Sequence, residues 1–555
     1  MTSPAPSARA IADRLATVLL EAEPFVASGL GLREYDALVP DPSRAAADEL
    51  DRRLREVAAE VAALPAEATR PGSPERITAA AVAAVCERTR LELAARESEY
   101  TVTAMPYVGP PAALATAART VLVDDRAAAD YLTRLRSLPD WIDGTAARLD
   151  EGAAAGCFPV ASLVESAVAW ADRTLAEGVP AAFTAAVPAD ASAAWRAELE
   201  AVVTGAVVPS LRSWRDRVAA LLSRSRPDDA AGLWALPDGA AAYRRAVAVH
   251  TTLPYEPQEL HRIGLAEVAR LERRAVELGA ELGLHDLAAV VRAVRESSGE
   301  LAPEAALRRA REAVARAEER AGEIMPAPLP APCAVEPMPT TVAQSGMAPH
   351  YSRPRADGSR PGTYWFNTQR PSAGAGWDLE AVAFHETVPG HHSQLARAAI
   401  LPDLPLLQQL SITVHAEGWG LYAERLADEF GLLSDVRAQL GAVYIEMHRA
   451  ARLVVDTGLH ALRWTRQQAR DYLIEHVALP EQFLLDEVDR YIARPGQALA
   501  YQAGLREIVR LRAHAEDALA AAFDLPGFNA ALVDSGSVTM PVLALVVDDW
   551  IAARR

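Results

Sequence analysis

Eight consecutive residues, His385-Glu386-Thr387-Val388-Pro389-Gly390-His391-His392, constrain the fold of this chain more than any other stretch. The apolar run Ala381-Val382-Ala383-Phe384 leads into them as a helix would. Pro389 cannot continue that helix, because it lacks an amide donor and its ring meets the carbonyl four residues back. On an uninterrupted helix, at about 100° per residue, His391 would point about 240° away from His385, and His392 would share its face about 10 Å along the axis. Neither histidine would then meet His385 at one point, such as a metal ion about 2.1 Å from each ring nitrogen. The helix is therefore expected to be bulged or broken at Pro389-Gly390, where glycine tolerates a positive φ or a close backbone approach.

Downstream, His415 to Glu424 reads HAEGWGLYAE and carries Glu417 and Glu424, seven residues apart on one face of a second helix. Two imidazoles and a carboxylate for a metal, with a free carboxylate beside them, make up the inventory of a zinc hydrolase. A lone His-Glu pair would more often be structural; the co-occurrence of HE, GHH and the acidic helix carries the reading. Candidate ligands for zinc (Zn2+) are His385, Glu417 and either His391 or His392, with His391 preferred. Glu386 is the candidate general base, and Glu424 an outer partner of the ligands.

The segments HETVPGHH, HAEGWGLYAE, DTGLH (456–460) and RPGQALAYQAG (494–504) together resemble the domain-of-unknown-function 885 family, a group of predicted zinc-dependent, largely helical proteins. That group is similar to the thimet-oligopeptidase and carboxypeptidase Taq types, and the resemblance is densest from Tyr351 to Leu543. It implies a zincin-like fold in which His385, His391 and Glu417 bind zinc and Glu386 is the base. It also implies that Tyr501 gives a phenol to the tetrahedral intermediate, and that Tyr364 and Asn367, on a strand beside the metal helix, contact an extended substrate. Those peptidases have HExGH, two residues shorter, which leaves His391 and His392 both open as the second ligand. Asp456 and His460, four apart on one helix face, are placed to meet, as an outer partner and an oxyanion donor. Arg449, Arg452, Arg490 and Arg494 are candidates for holding a substrate carboxylate.

With 555 residues, half of them hydrophobic, rich in alanine and poor in aromatics, the chain is expected to be mainly α. Helices are expected over Ser43–Ala63, Pro74–Arg96, Ala112–Leu138, Leu163–Glu177, Ser192–Arg224, Pro257–Leu282 and Pro303–Ile324. Residues 1–325 form a helical lobe in this reading and residues 371–555 the metal-site lobe, with a cleft between them. Residues 326–370, rich in Pro and Gly, form a small antiparallel β segment with a turn at 357–362 and a strand at Thr363–Asn367. The whole is expected to be one catalytic domain.

A net charge of −18 argues against nucleic acid as a partner. No run of about eighteen apolar residues suggests a membrane span, and the N-terminus lacks a secretory pattern, so a cytoplasmic protein is expected. Cys86, Cys157 and Cys333 are too far apart in sequence to suggest a metal knot. The expected activity is zinc-dependent hydrolysis of a small peptide or amide, in a protein that can be oligomeric. A hydrolase of a non-peptide amide and a non-catalytic helical scaffold with a relic metal site are the alternatives.

Overall fold

A computed structural model of the chain describes residues 7–555 except 189, 298–300, 339–342, 344–347, 356–357, 359 and 369–375. Helices dominate it. α1 (Ala8–Ala22), α2 (Arg44–Ala62) and α3 (Arg76–Ala95) pack on one another. Ser7 and Ser43 cap the first two by accepting from the amides of Ala10 and Ala46, contacts of about 1 kcal/mol each. The single helix expected over Ala112–Leu138 is instead two, Gly109–Arg119 and α4 (Asp125–Ala154). β-Branched Thr120, Val121 and Val123 disfavour helix between them, and Asp124 restarts it by accepting from the Ala127 amide at 2.8 Å. α5 (Gly239–Thr251), α6 (Pro257–Ala280) and α7 (Pro303–Glu319) follow, the last two with proline at their first position, where its missing donor costs nothing.

The sheet has β1 (Ala334–Pro337), β2 (His350–Ser352) and β3 (Thr363–Phe366), in the order β1-β3-β2. β1 runs parallel to β3 and β2 antiparallel to it, so the sheet is mixed rather than antiparallel as expected. Because β3 lies in the middle, it has no free edge for a substrate strand. Tyr364 is wholly buried and Asn367 nearly so, its amide donating to the Ala343 carbonyl at 3.1 Å. Their expected role as substrate contacts finds no exposed surface here. The turn expected at 357–362 lies partly outside the described residues.

The helices that build and surround the site are α8 (Leu379–Glu386), α9 (His391–Ile400), α10 (Thr413–Glu429), α11 (Val436–Ala461), α12 (Glu481–Ala493) and α13 (Ala500–Leu519). Thr465 and Gln468 form the capping box that their spacing suggests, at the start of Arg466–His476. The principal core joins Ile11, Leu54 and Val82 to Phe384, Trp419, Leu505 and Met540, so the expected lobe boundary at 325 does not divide it. A second core, including Val268, Tyr444, Val455 and Leu484, lies among α6, α11 and α12. Between α1–α4 and β2 opens a cavity of about 1230 Å³, whose walls include Arg53, Tyr107, Trp214, Tyr351, Arg353 and Arg494. Among the described residues, no helix is long and apolar enough to cross a membrane.

Candidate metal centre

The helix entering HETVPGHH is broken rather than bulged: α8 stops at Glu386 and α9 starts at His391. Its free end is satisfied locally, the Thr387 hydroxyl donating to the Ala383 carbonyl at 2.6 Å and the Gly390 amide to Phe384 at 3.1 Å. Gly390 has φ −77°, so a positive φ is not what the position requires. It requires closeness: a Cβ there would lie 1.9 Å from the His385 carbonyl oxygen and 2.4 Å from that of Phe384. From α10, the fully buried Trp419 indole donates to the carbonyls of Pro389, at 2.9 Å, and Gly390, at 3.0 Å. That clamp fixes where α9 begins, and with it the position of His391.

The break brings His385, His391 and Glu417 together, one ligand atom of each lying within 4.8 Å of the others. His385 Nε2 is 3.3 Å and His391 Nε2 3.6 Å from Glu417 Oε2. The far nitrogen of His385, Nδ1, lies 2.7 Å from Glu424 Oε1, which in its ionised form can only accept. Nδ1 is therefore the donor, and a neutral His385 turns its Nε2 lone pair toward the Glu417 carboxylate. Two lone pairs facing each other at that distance need a positive charge between them, either a proton or a cation. Burial alone would lower the pKa of His385, but its hydrogen bonds to Glu417 and Glu424 outweigh that and raise it to about 10. Burial likewise pushes Glu417 up, and the two imidazoles pull it well below the usual carboxylate range. Two imidazole nitrogens, one carboxylate and a carboxylate behind a ligand histidine fit zinc in both donor set and outer support. His391 lacks such support, since its Nδ1 is buried without a partner.

Small residues on α10 make room for this. A Cβ on Gly420 would sit 2.5 Å from Cε1 of the His385 ring, and one on Gly418 would sit 2.6 Å from the backbone of Gly504 on α13. Both glycines of EGWGLYAE are thus close-approach positions, and the tryptophan between them is the clamp. Their arrangement was written in the motif, but nothing in it said which helices they face.

His392 stands apart from the trio. Its Nε2 donates to the Ala331 carbonyl at 2.7 Å, and its Nδ1 accepts from the Tyr351 hydroxyl at 3.0 Å. Both nitrogens are therefore occupied, and burial lowers its pKa. Tyr351, which the sequence did not single out, also donates its backbone amide to Glu386 Oε2 at 2.8 Å. β2 thereby positions the candidate base while its tyrosine side lines the cavity.

The C-terminal candidates divide into two groups. Asp456 accepts from the Tyr243 hydroxyl at 2.6 Å and from the Gly496 amide at 3.1 Å, while His460 accepts from the Leu233 amide at 3.1 Å and donates to the Tyr491 carbonyl at 3.1 Å. They do not pair with each other, and His460, with both nitrogens committed and burial lowering its pKa to about 3, has no proton to offer an oxyanion. Tyr501 and the arginines form the other group. Arg490 is buried against Glu487 and Gln497, Arg494 lines the cavity, and the half-buried Tyr501 lies under the Arg452 guanidinium, 4.2 Å from its ring centroid.

Two solved structures share this architecture. A protein from Colwellia psychrerythraea described as a putative lipoprotein is 24% identical, with a TM-score of 0.89 over 99% of this chain and 100% of that one. A protein from Shewanella oneidensis, described as a putative lipoprotein of unknown function, is 16% identical, with a TM-score of 0.73 over 97% and 99%. No curated protein matches the chain. Residues 24–547 match a family described as bacterial protein of unknown function (DUF885). The chain, matched by that family over nearly its whole length, belongs to DUF885.

Proposed function

We propose that the protein is a zinc-dependent hydrolase of amide or peptide bonds in small peptides or peptide-like molecules. The observation that carries this reading is the convergence of His385, His391 and Glu417, with Glu424 behind His385, at the end of the helix that also presents Glu386. Zinc held by those three residues would supply a Lewis acid for the scissile carbonyl and acidify a neighbouring water toward a pKa of about 7. Glu386, next in sequence to a ligand and steadied by the Tyr351 amide, takes the proton from that water and returns it to the leaving amine. Tyr501 lies one turn before Gly504, where α13 touches α10 beside Glu417, which supports a role for its phenol at the developing oxyanion.

The test is metal analysis and peptide cleavage by the purified protein. One zinc per chain and cleavage of short peptides are expected, both lost in His385→Ala. Stoichiometric zinc that survives His385→Ala would overturn the assignment. The cytoplasmic location expected from the sequence is tested separately, by cell fractionation, against the anchored location that the lipoprotein description of the two structural neighbours suggests for them.

A further inference from the structure

We infer that Arg449 and Arg452, which flank the ring of Tyr501, form an anion subsite that holds a carboxylate of the substrate. This rests on the hydrolase reading and narrows it to acidic substrates, short peptides carrying either a free C-terminus or an acidic side chain. The guanidinium carbons of Arg452 and Arg449 lie 4.2 Å and 5.8 Å from the Tyr501 ring centroid. Both arginines come from one face of α11, three residues apart.

Their charges are not balanced from within. Arg452 is buried; its Nη2 donates to Glu487 at 2.7 Å and its Nε to the Tyr491 hydroxyl at 3.2 Å, while its Nη1 is buried without a partner. Glu487 is already shared: Arg490 Nε lies 2.7 Å from it, the Tyr491 hydroxyl donates to it at 2.9 Å, and His448 Nε2 is 3.2 Å away. Arg449 has less. Among the described residues its Nε is buried without a partner, its Nη1 reaches only the Ile445 carbonyl and His448, each at 3.5 Å, and no carboxylate is within ion-pair distance of it. Two guanidiniums and His448 thus share one carboxylate, and Arg449 adds a further positive charge with none. Buried charges are ordinarily paired, because desolvation is otherwise uncompensated. A second carboxylate, supplied by a ligand, would complete the set and can take two parallel N–H bonds from one guanidinium.

The subsite has neighbours on the cavity wall and near the candidate centre. Tyr107, on the cavity wall and 44% exposed, lies close enough to Arg452, Arg490 and Glu487 to feel their charges. On the other side, burial raises the pKa of Glu424, the carboxylate behind His385, and the charges of His385 and Arg449 oppose that only in part. An anion held at Arg449 and Arg452 would therefore lie beside Tyr501, one turn before Gly504, where α13 packs against α10 next to Glu417.

The experiment uses zinc-loaded, full-length protein in a Glu386→Gln background, so that binding is read without turnover. The probes are acetyl-Ala-Ala with a free C-terminus, acetyl-Ala-Ala-amide and acetyl-Asp-Ala-amide, each titrated by calorimetry. Tighter binding of one acidic probe than of the neutral amide, by about tenfold or more, is expected, and should shrink to about threefold or less in Arg449→Gln. The half-buried Arg449 is the primary variant because Arg452→Gln can fail to fold; Arg449→Lys should keep part of the preference. The acidic probe that gains identifies the source as C-terminus or side chain. Equal binding of all three probes, or a preference unchanged in Arg449→Gln, overturns the inference. Cleavage, assayed separately with Glu386 intact, keeps the two readings apart: acid-selective binding without cleavage sinks the hydrolase, whereas cleavage without acid preference sinks the subsite.

Discussion

At the scale of single residues, the centre depends on which groups touch the three converging atoms and which act through another group. Glu386→Gln keeps the shape of the side chain and its contact with the Tyr351 amide but cannot accept a proton. Turnover should fall by about 10²- to 10⁴-fold with zinc content unchanged, as measured by metal analysis beside a peptidase assay. Glu417→Ala removes the carboxylate that meets both imidazoles, a direct ligand in the proposed site, and should abolish zinc retention. Glu424→Ala removes only the partner of His385 Nδ1 and should weaken zinc by about 10- to 100-fold in a chelator competition. Equal loss in the two variants would show that Glu424 is itself a ligand. Gly420 belongs in this group although it has no functional atoms, because any side chain there displaces the His385 ring.

At the scale of elements, the break between α8 and α9 decides which histidine meets Glu417. With α9 starting at His391, that residue faces Glu417, while His392, one residue on, turns about 100° away into the β2 side. His391→Ala should therefore lose zinc to a chelator far faster than the parent, and His392→Ala should keep zinc while loosening Tyr351 and lowering activity. Gly390→Val should resemble His391→Ala, since the carbonyls of Phe384 and His385 leave no space for a side chain. Loss of zinc from His392→Ala with retention in His391→Ala would mean that α9 begins elsewhere. Trp419, which ties α10 to the break, makes the two helices one unit rather than two neighbours.

At the scale of the whole molecule, α11 joins the metal-site region to the N-terminal helices. Asp456 holds Tyr243 of α5, and His460 takes the amide of Leu233. His460→Ala should cost about 2 to 4 kcal/mol, from an unsatisfied buried amide and a cavity, and should lower Tm in a thermal melt without removing zinc. Asp456 gives the same joint a pH dependence. Burial, only partly offset by the bonds from Tyr243 and Gly496, raises its pKa to about 7, against about 3.9 in an unfolded chain. Between those values the folded protein keeps a proton that the unfolded chain has lost, so this group's contribution to stability falls as pH rises from about 4 to about 7. Asp456→Asn should remove that part of the slope in denaturant titrations across the range; an unchanged slope would place the titration elsewhere.

The features legible in the chain are local. Alanine-rich 3.6-residue periodicity requires helices, proline at 389 requires an interruption, and two acidic residues seven apart require a shared face, because each follows from backbone sterics within a few residues. DUF885 membership was likewise legible in the motifs. The rest came from long-range packing. Whether His391 or His392 turns to Glu417 depends on Trp419, thirty residues away, and whether Tyr364 is free depends on strands that pair on both its sides. Asp456 and His460 have a spacing that suits a catalytic pair, yet their partners Tyr243 and Leu233 lie more than two hundred residues back. Spacing along a helix fixes which side chains share a face, but the contacts available to that face come from segments whose arrival depends on the packing of the entire chain.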